Sequence, residues 1–459
     1  MNQFWLTYGA FNIYAITMAA TNQGQQPDIE SPAFQEALQQ LRALDYPIPW
    51  SLVIRADNPT TSVAQILSLL REHPASGFRP LDGRDGFIKY VHTTRVPTKH
   101  QCLGFITLDR NEMNVVSQLT ARYSEIERAR SCRGQGTSSS LSAYDAWSGA
   151  EKDAIIKAGI ENLLGPGKAY ATGVLFPDLI EQCSNVISRT YWMSAYFPGE
   201  LVTNVCQRLF GHASVSPSAP PIKMLDISAG WGDRLIAAIS LGYSYTACDP
   251  NTRMAPIYAR IIGDLAGVSR SAQTAPTSSE RPANASYRVL PVPFEDWKPD
   301  PSEFQTYDIL FTSPPFFDFE IYSKEPTQSI VRYPTLDTWI NKFMMQSLHT
   351  AHRLLKLGAY VVLHLEDIIM ASHPIVFVNQ IIDYCVKCLH WIFIGKFIYT
   401  IRDPKKREVQ KNQSNTILNQ KSDPSGSNRT TRRFDKNGLR TDATGNVLVQ
   451  TLWIFTVPK

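Results

Sequence analysis

From Lys223 onward the chain alternates short apolar runs with segments whose apolar residues fall at helical spacing. The runs "KMLDIS", "YSYTACD", "SYRVLPV", "YDILFT" and "AYVVLHLE" read as strands; "DRLIAAISLG", "RMAPIYARIIGDLAG", "LDTWINKFMMQSLHTAHRLLKLG" and "IVFVNQIIDYCVKC" read as helices. Helices that return the chain so that successive strands run the same way specify a doubly wound α/β fold around a parallel sheet. Two further strands, "WIFIGKFIYTI" and "NVLVQTLWIFTV", have no helix between them. They are expected to pair antiparallel, as a C-terminal hairpin with a long loop.

The chain has 459 residues, and chains beyond about 250–300 residues divide into domains. Residues 1–150 carry helical stretches ("SPAFQEALQQLRAL", "TTSVAQILSLLREH") and one strand, "CLGFITL", but no motif with evident chemistry. They are expected to form a separate N-terminal α+β domain. The Gly- and Ser-rich "SCRGQGTSSSLSA" marks the approach to its boundary, and residues 151–459 form the α/β domain. Polar insertions interrupt that domain at about residues 267–285 and 401–440. The second holds 11 Lys and Arg against 4 Asp and Glu in a chain whose net charge is +4. Positive charge so concentrated suits a phosphate backbone, and a solvated loop without a partner would share the composition.

Several classes are set aside by the same reading. No run is apolar enough to span a membrane. The N-terminal "FWLTYGAFNIYAITMAA" lacks a basic flank and is broken by polar residues, which fits a packed element better than a secretory signal. Seven cysteines without framework spacing suit reduced thiols in an intracellular setting, cytoplasmic or nuclear. Cys385, Cys388 and His390 have ligand-like spacing, but no second pair accompanies them and "IIDYCVKCLH" reads as a buried helix. No metal is expected.

The chemistry collects at the ends of strands. In "MLDISAGWGDRLIAA", Asp226 ends a strand, and Gly230 and Gly232 frame a tight turn into a helix. Glycines belong there because a ligand approaching the backbone would collide with a side chain. Asp249 ends the next strand, where a carboxylate can accept from both hydroxyls of a ribose. The third glycine of the dinucleotide fingerprint falls on Leu235, so a nicotinamide cofactor fits poorly. Ser313-Pro314-Pro315-Phe316 follows the strand "YDILFT". Two prolines fix φ and remove backbone donors, leaving rigid carbonyls at the edge where open α/β sheets bind ligands. Such carbonyls can accept from an amine whose lone pair is delocalised, which makes its nitrogen more nucleophilic. Ser313 adds a side-chain acceptor, and Phe316 offers a face on which a base can stack. Beyond them, Asp318, Glu320 and Tyr322 either line the mouth of the site or cap and pack the next segment.

Together these elements resemble the class I S-adenosylmethionine-dependent methyltransferases, whose Rossmann-like sheet is finished by such a hairpin. Asp226, Gly230 and Gly232 match that family's motif I, with Ser228 where the nucleic-acid amino-methyltransferases often have Phe. Phe197 and Pro198 match the aromatic–proline cluster placed before motif I in many DNA methyltransferases, without its Thr. Phe294, Glu295 and Asp296 fall where the family's adenine pocket lies, and either acid could face the adenine. Ser313-Pro314-Pro315-Phe316 matches motif IV in the form typical of N4-cytosine enzymes. The order of the motifs, with motif I first, is that of many N6-adenine enzymes.

The resemblance implies S-adenosyl-L-methionine as cofactor, held by the residues just named up to Asp296 together with Asp249. It implies Ser313, Pro314, Pro315 and Phe316 as the catalytic edge. The substrate would be an exocyclic base amine in nucleic acid, cytosine N4 or adenine N6, with DNA ahead of RNA. In-line transfer needs alignment rather than a metal or a covalent enzyme intermediate. Two other readings stay open. One is a methyltransferase of protein side-chain amides, although those enzymes carry Asn where Ser313 stands. The other is a nucleic-acid-binding subunit that kept the fold and lost turnover.

Overall fold

Strand residues in the second half of the chain are apolar on both sides because helices cover both faces of the sheet they build. The computed structural model describes residues 28–48, 59–72, 78–79, 90–92, 102–134, 141–165, 175–211, 220–271, 285–368, 374–402, 433–434, 440–441 and 447–459. The apolar N-terminal stretch lies outside the described residues, as does most of both polar insertions and the middle of the Gly- and Ser-rich segment.

Of the twelve strands in the large sheet, eight form its body: β1 (Cys102–Asp109), β2 (Lys223–Asp226), β3 (Ser244–Cys248), β4 (Tyr287–Leu290), β5 (Tyr307–Thr312), β6 (Leu355–His364), β7 (Ile392–Arg402) and β8 (Val447–Thr456). Their order is β1-β7-β8-β6-β5-β2-β3-β4. All neighbours pair parallel except around β8, which runs antiparallel to both β6 and β7. The doubly wound Rossmann-like sheet with an antiparallel hairpin, expected from the alternation, is the architecture found.

Successive residues of a strand face opposite sides, and the two cores divide accordingly. Met224, Ile309, Phe311, Val362 and Ile454 face helices α1 (Gly199–Phe210), α2 (Asp233–Leu241) and α3 (Ala255–Ser271). Leu225, Leu310, Val361, Leu363 and Phe455 face the helical run Leu336–Leu354 and helix α4 (Val378–Lys387). The helix expected to reach Gly358 stops at Leu354. Leu355 already pairs with Tyr307, so the strand takes over without a loop. The helical reading of "IIDYCVKC" holds: Cys385 is buried on α4 and Cys388 follows its end, exposed.

The division into units follows contacts rather than sequence. One unit comprises Met1–Pro59 and Glu125–Ala195, the other Thr60–Ser124 and Tyr196–Lys459, so no break falls near residue 150. The reason is β1, which was expected in an N-terminal domain. It pairs parallel with β7 from Lys396↔Cys102 to Arg402↔Asp109 and so belongs to the large sheet. The first unit is built on helices Pro32–Ala43, Ala143–Ser148, Lys152–Leu163 and Leu175–Thr190, around Phe34, Leu41, Trp147, Leu179 and Ile187. Ser31 caps the first of these by accepting from Phe34 N–H, and the Trp147 indole donates to the Leu44 carbonyl at 2.9 Å. No helix among the described residues is long and apolar enough to cross a membrane.

Candidate active site

β2 and β5 are neighbours in the sheet, yet the chain leaves β2 towards β3 on its other side. Such a reversal opens a crevice beyond the carboxyl ends of the strands. Here the glycine loop leaves the end of β2 and the Ser-Pro-Pro-Phe segment leaves the end of β5.

The glycine loop is braced from within. Asp226 is fully buried and accepts three hydrogen bonds. Its Oδ1 takes the Ser228 N–H at 3.1 Å; its Oδ2 takes the Tyr245 hydroxyl at 2.7 Å and Arg234 Nε at 2.6 Å. Arg234, in the first turn of α2, also donates to the Ser228 carbonyl. Burial alone would push the Arg234 pKa down, but the Asp226 carboxylate beside it holds it above the ordinary value. Gly230 (φ 64°) and Gly232 (φ 102°) are left-handed, and a Cβ on Gly232 would come within 2.7 Å of Ile261 Cδ1. Only glycine fits there without strain.

Asp249, at the end of β3, grips the same loop. Its Oδ2 accepts from Gly230 N–H at 2.9 Å and from the Tyr258 hydroxyl at 3.0 Å, and its Oδ1 accepts from Asn251 N–H at 3.0 Å. A carboxylate offers about four acceptor positions, so roughly one is left over. Burial pushes the Asp249 pKa up to about 6, despite the hydrogen bonds from Asn251, Gly230 and Tyr258. Trp231, between the two glycines, packs edge-on against Tyr322 with ring centroids 5.8 Å apart. The Tyr322 hydroxyl donates to Glu320. Downstream, the Glu325 carboxylate takes both N–H and hydroxyl of Thr252 at 3.0 Å, fastening this segment beside the end of β3.

After β4, Phe294 is buried against Trp297, while Glu295 and Asp296 share Arg332, at 2.6 and 2.9 Å. The Glu295 side chain is 3% exposed, and burial raises its pKa. Its Oε2 is buried without a hydrogen-bond partner among the described residues, while the Tyr333 hydroxyl approaches the carboxyl group.

The proline edge is built differently. Ser313 is half-buried, and its Oγ lies 2.8 Å from His364 Nδ1, at the end of β6. The other ring nitrogen, Nε2, lies 3.2 Å from the Tyr399 hydroxyl on β7. His364 is 5% exposed; burial and the nearby Arg234 charge push its pKa down to about 3, so the ring is neutral. Phe316 lies tilted against the imidazole at 5.5 Å, and Phe197 meets it edge-on at 5.4 Å. Phe197 also touches Phe311 and lies under the Arg234 guanidinium, and its N–H donates to Asp233 Oδ2 at 3.2 Å. Pro198 stands at the N-cap of α1.

The structure thus gathers Asp226, Ser228, Gly230, Gly232 and Asp249 into one loop system and sets Ser313 and Phe316 around His364, with Phe197 touching His364 on one side and Arg234, which braces the loop, on the other. Phe294, Glu295 and Asp296 form a third group held by Arg332. Sequence reading missed Arg234, Tyr258, His364 and Tyr399. A basic residue in the first turn after a strand-end acid was a usable signal for Arg234. A histidine closing an otherwise apolar strand, "VVLH", was one for His364.

No protein-family model matches the sequence, and no curated protein matches it. Among solved structures, the chain is similar to a SAM-dependent methyltransferase from Agrobacterium tumefaciens at 16% identity, covering 59% of this chain and 65% of that one, with a TM-score of 0.29. It is also similar to a SAM-dependent O-methyltransferase from Thermotoga maritima at 11% identity, covering 62% and 74%, with a TM-score of 0.29. A third is a tRNA (m1A58) methyltransferase from Aquifex aeolicus, at 10% identity, covering 58% and 71%, with a TM-score of 0.25. Likenesses this distant carry no argument here; the fold assignment stands on the strand order itself.

Proposed function

We propose that this chain is an S-adenosylmethionine-dependent methyltransferase acting on an exocyclic amine of a nucleic-acid base, cytosine N4 or adenine N6, with DNA ahead of RNA. One observation carries the reading: a left-handed glycine loop and a Ser-Pro-Pro-Phe edge leave adjacent strands at the switch point of the sheet. The residues present fit the cofactor. The glycine turn leaves its backbone open to a ligand, Asp249 keeps about one acceptor position for a ribose hydroxyl, and Glu295 Oε2 is a buried acceptor without a hydrogen-bond partner among the described residues. Of the two acids after β4, Glu295 is therefore the one assigned to the cofactor.

When bound, the cofactor supplies a methyl group activated by a sulfonium. The chain's own residues align the acceptor. Backbone carbonyls of the proline edge take the amine's hydrogens, Ser313 holds the same edge of the base, and Phe316 stacks on the ring. Such a base must leave its duplex partner, and the basic composition of residues 401–440 suits the surrounding phosphates.

The test is transfer from labelled S-adenosylmethionine to separate DNA, RNA and protein pools, with Ser313→Ala alongside, followed by nucleoside identification. N4-methylcytosine or N6-methyladenine that disappears with Ser313→Ala supports the reading and names the base. Label confined to protein defeats it. Ser313→Ala and Phe316→Ala should retain cofactor binding, and Asp249→Ala should weaken it.

A further inference from the structure

The chain Tyr399–His364–Ser313 runs from the interior to the proline edge, and hydrogen-bond accounting gives it a direction. Tyr399 is 2% exposed, and among the described residues His364 is its only hydrogen-bond partner. A tyrosine hydroxyl has one hydrogen. If that hydrogen does not go to His364 it is buried without an acceptor, the costly case for any polar group. Tyr399 therefore donates to Nε2. The imidazole is neutral, so it carries a single hydrogen, which must then sit on Nδ1 and point at Ser313 Oγ, 2.8 Å away. With one lone pair of Oγ engaged by His364, the serine's own hydrogen is left for the half-exposed side.

We propose that Ser313 meets the substrate as a hydrogen-bond donor, held in that role by Tyr399 acting through His364, and that it thereby selects an amine flanked by an acceptor. This rests on the base-methyltransferase reading above and sharpens it. Cytosine N4 lies beside ring N3, and adenine N6 beside ring N1. Both present an amine next to an acceptor on the edge exposed when a base leaves its stack. Proline-edge carbonyls would take the amine and the Ser313 hydroxyl the ring nitrogen, while the second Oγ lone pair stays open to the amine. Guanine, whose O6 and N1–H stand where adenine carries its amine and ring acceptor, offers the wrong pattern at that edge. His364 and Tyr399 are positioning residues, since neither needs to touch the base.

The hydrogen's place can be read without turnover. Long-range nitrogen–proton correlation spectra of protein labelled with 15N-histidine distinguish the two neutral tautomers, and His364→Gln assigns the signal by difference. The expected result is hydrogen on Nδ1 with Nε2 bare; hydrogen on Nε2 overturns the proposal. In Tyr399→Phe the preference for Nδ1 should be lost, and an unchanged tautomer would mean that Tyr399 does not set it. A second test uses oligonucleotides whose ring nitrogen beside the amine is replaced by carbon. Wild-type binding of these oligonucleotides should weaken about tenfold, the usual scale for a donor left unpaired, whereas binding by Ser313→Ala should show no further penalty from the replacement. An equal penalty in both proteins would place the donor elsewhere. Failure to methylate any nucleic acid would defeat the base reading, while the tautomer would still decide the direction of the chain.

Discussion

The two sides of the crevice are held by opposite means. The glycine loop is pinned by ionised groups out of contact with water: Asp226 with Arg234, and Asp249 with the loop's own N–H. The proline edge is pinned by a neutral imidazole between two hydroxyls, with aromatic rings around it. Removing one partner of a buried ion pair strands a charge, whereas removing a neutral hydroxyl at a half-exposed edge costs less, because water can take its place. Stability should therefore be concentrated on one side and chemistry on the other.

The largest effect tests the ionised side. Asp226→Asn leaves the Arg234 charge buried without its carboxylate, at a cost of about 3–5 kcal/mol, measurable by urea unfolding. A loss below about 1 kcal/mol, the scale of a surface pair, would erase the contrast between the two sides. Next comes the pH dependence of Asp249. Its pKa rises from the ordinary 3.8 to about 6 on folding, because burial disfavours the charged form. Its contribution to stability is thus full below the ordinary value, is lost as pH rises through about 6, and stays constant above. Replacing it by Asn should shift stability in the variant's favour by on the order of 3 kcal/mol between acid and neutral pH. Paired denaturation curves across that range would show this, and a flat difference would mean that the carboxylate is not desolvated.

Gly232→Ala should cost about 1–3 kcal/mol through its left-handed φ and the contact with Ile261, and should weaken cofactor binding in a titration. The smallest effect on folding belongs to the proline edge. Ser313→Ala should cost about 1 kcal/mol, the low end for a donor left unpaired, since water can replace the half-exposed hydroxyl beside His364, while abolishing methyl transfer. A large stability loss there would mean that the Ser313–His364 bond is structural after all.

Much of this could be read from the sequence, and the rest could not for definite reasons. Asp226, Gly230, Gly232 and Asp249 were legible because a strand, a turn and the next strand lie close along the chain, so their spacing reports their geometry. The proline edge was legible because two prolines ending an apolar strand are hard to explain otherwise. β1 was read as a strand but not as part of this sheet, since parallel pairing across 293 residues, as between Asp109 and Arg402, leaves no local mark. Tyr399 stayed hidden for the same reason, and His364, marked only by closing an apolar strand, gains its meaning when β5, β6 and β7 are brought together. Asp249 was read as a ligand for a ribose; its three bonds to the protein give it work on the loop as well.

The place of β8 has a consequence for how the chain is made. It lies between β6 and β7, and β1 lies outside β7. During synthesis neither β7 nor β1 can join the growing sheet when it emerges, because the strand that connects them to β6 follows both in the chain. Until then the flank of β6 is an open template for other chains. Tyr399 is on β7, so the hydrogen-bonded chain that ends at Ser313 is assembled only once β8 is in place. A nascent or truncated product lacking β8 would keep the glycine loop and its strands yet have no Tyr399 behind His364.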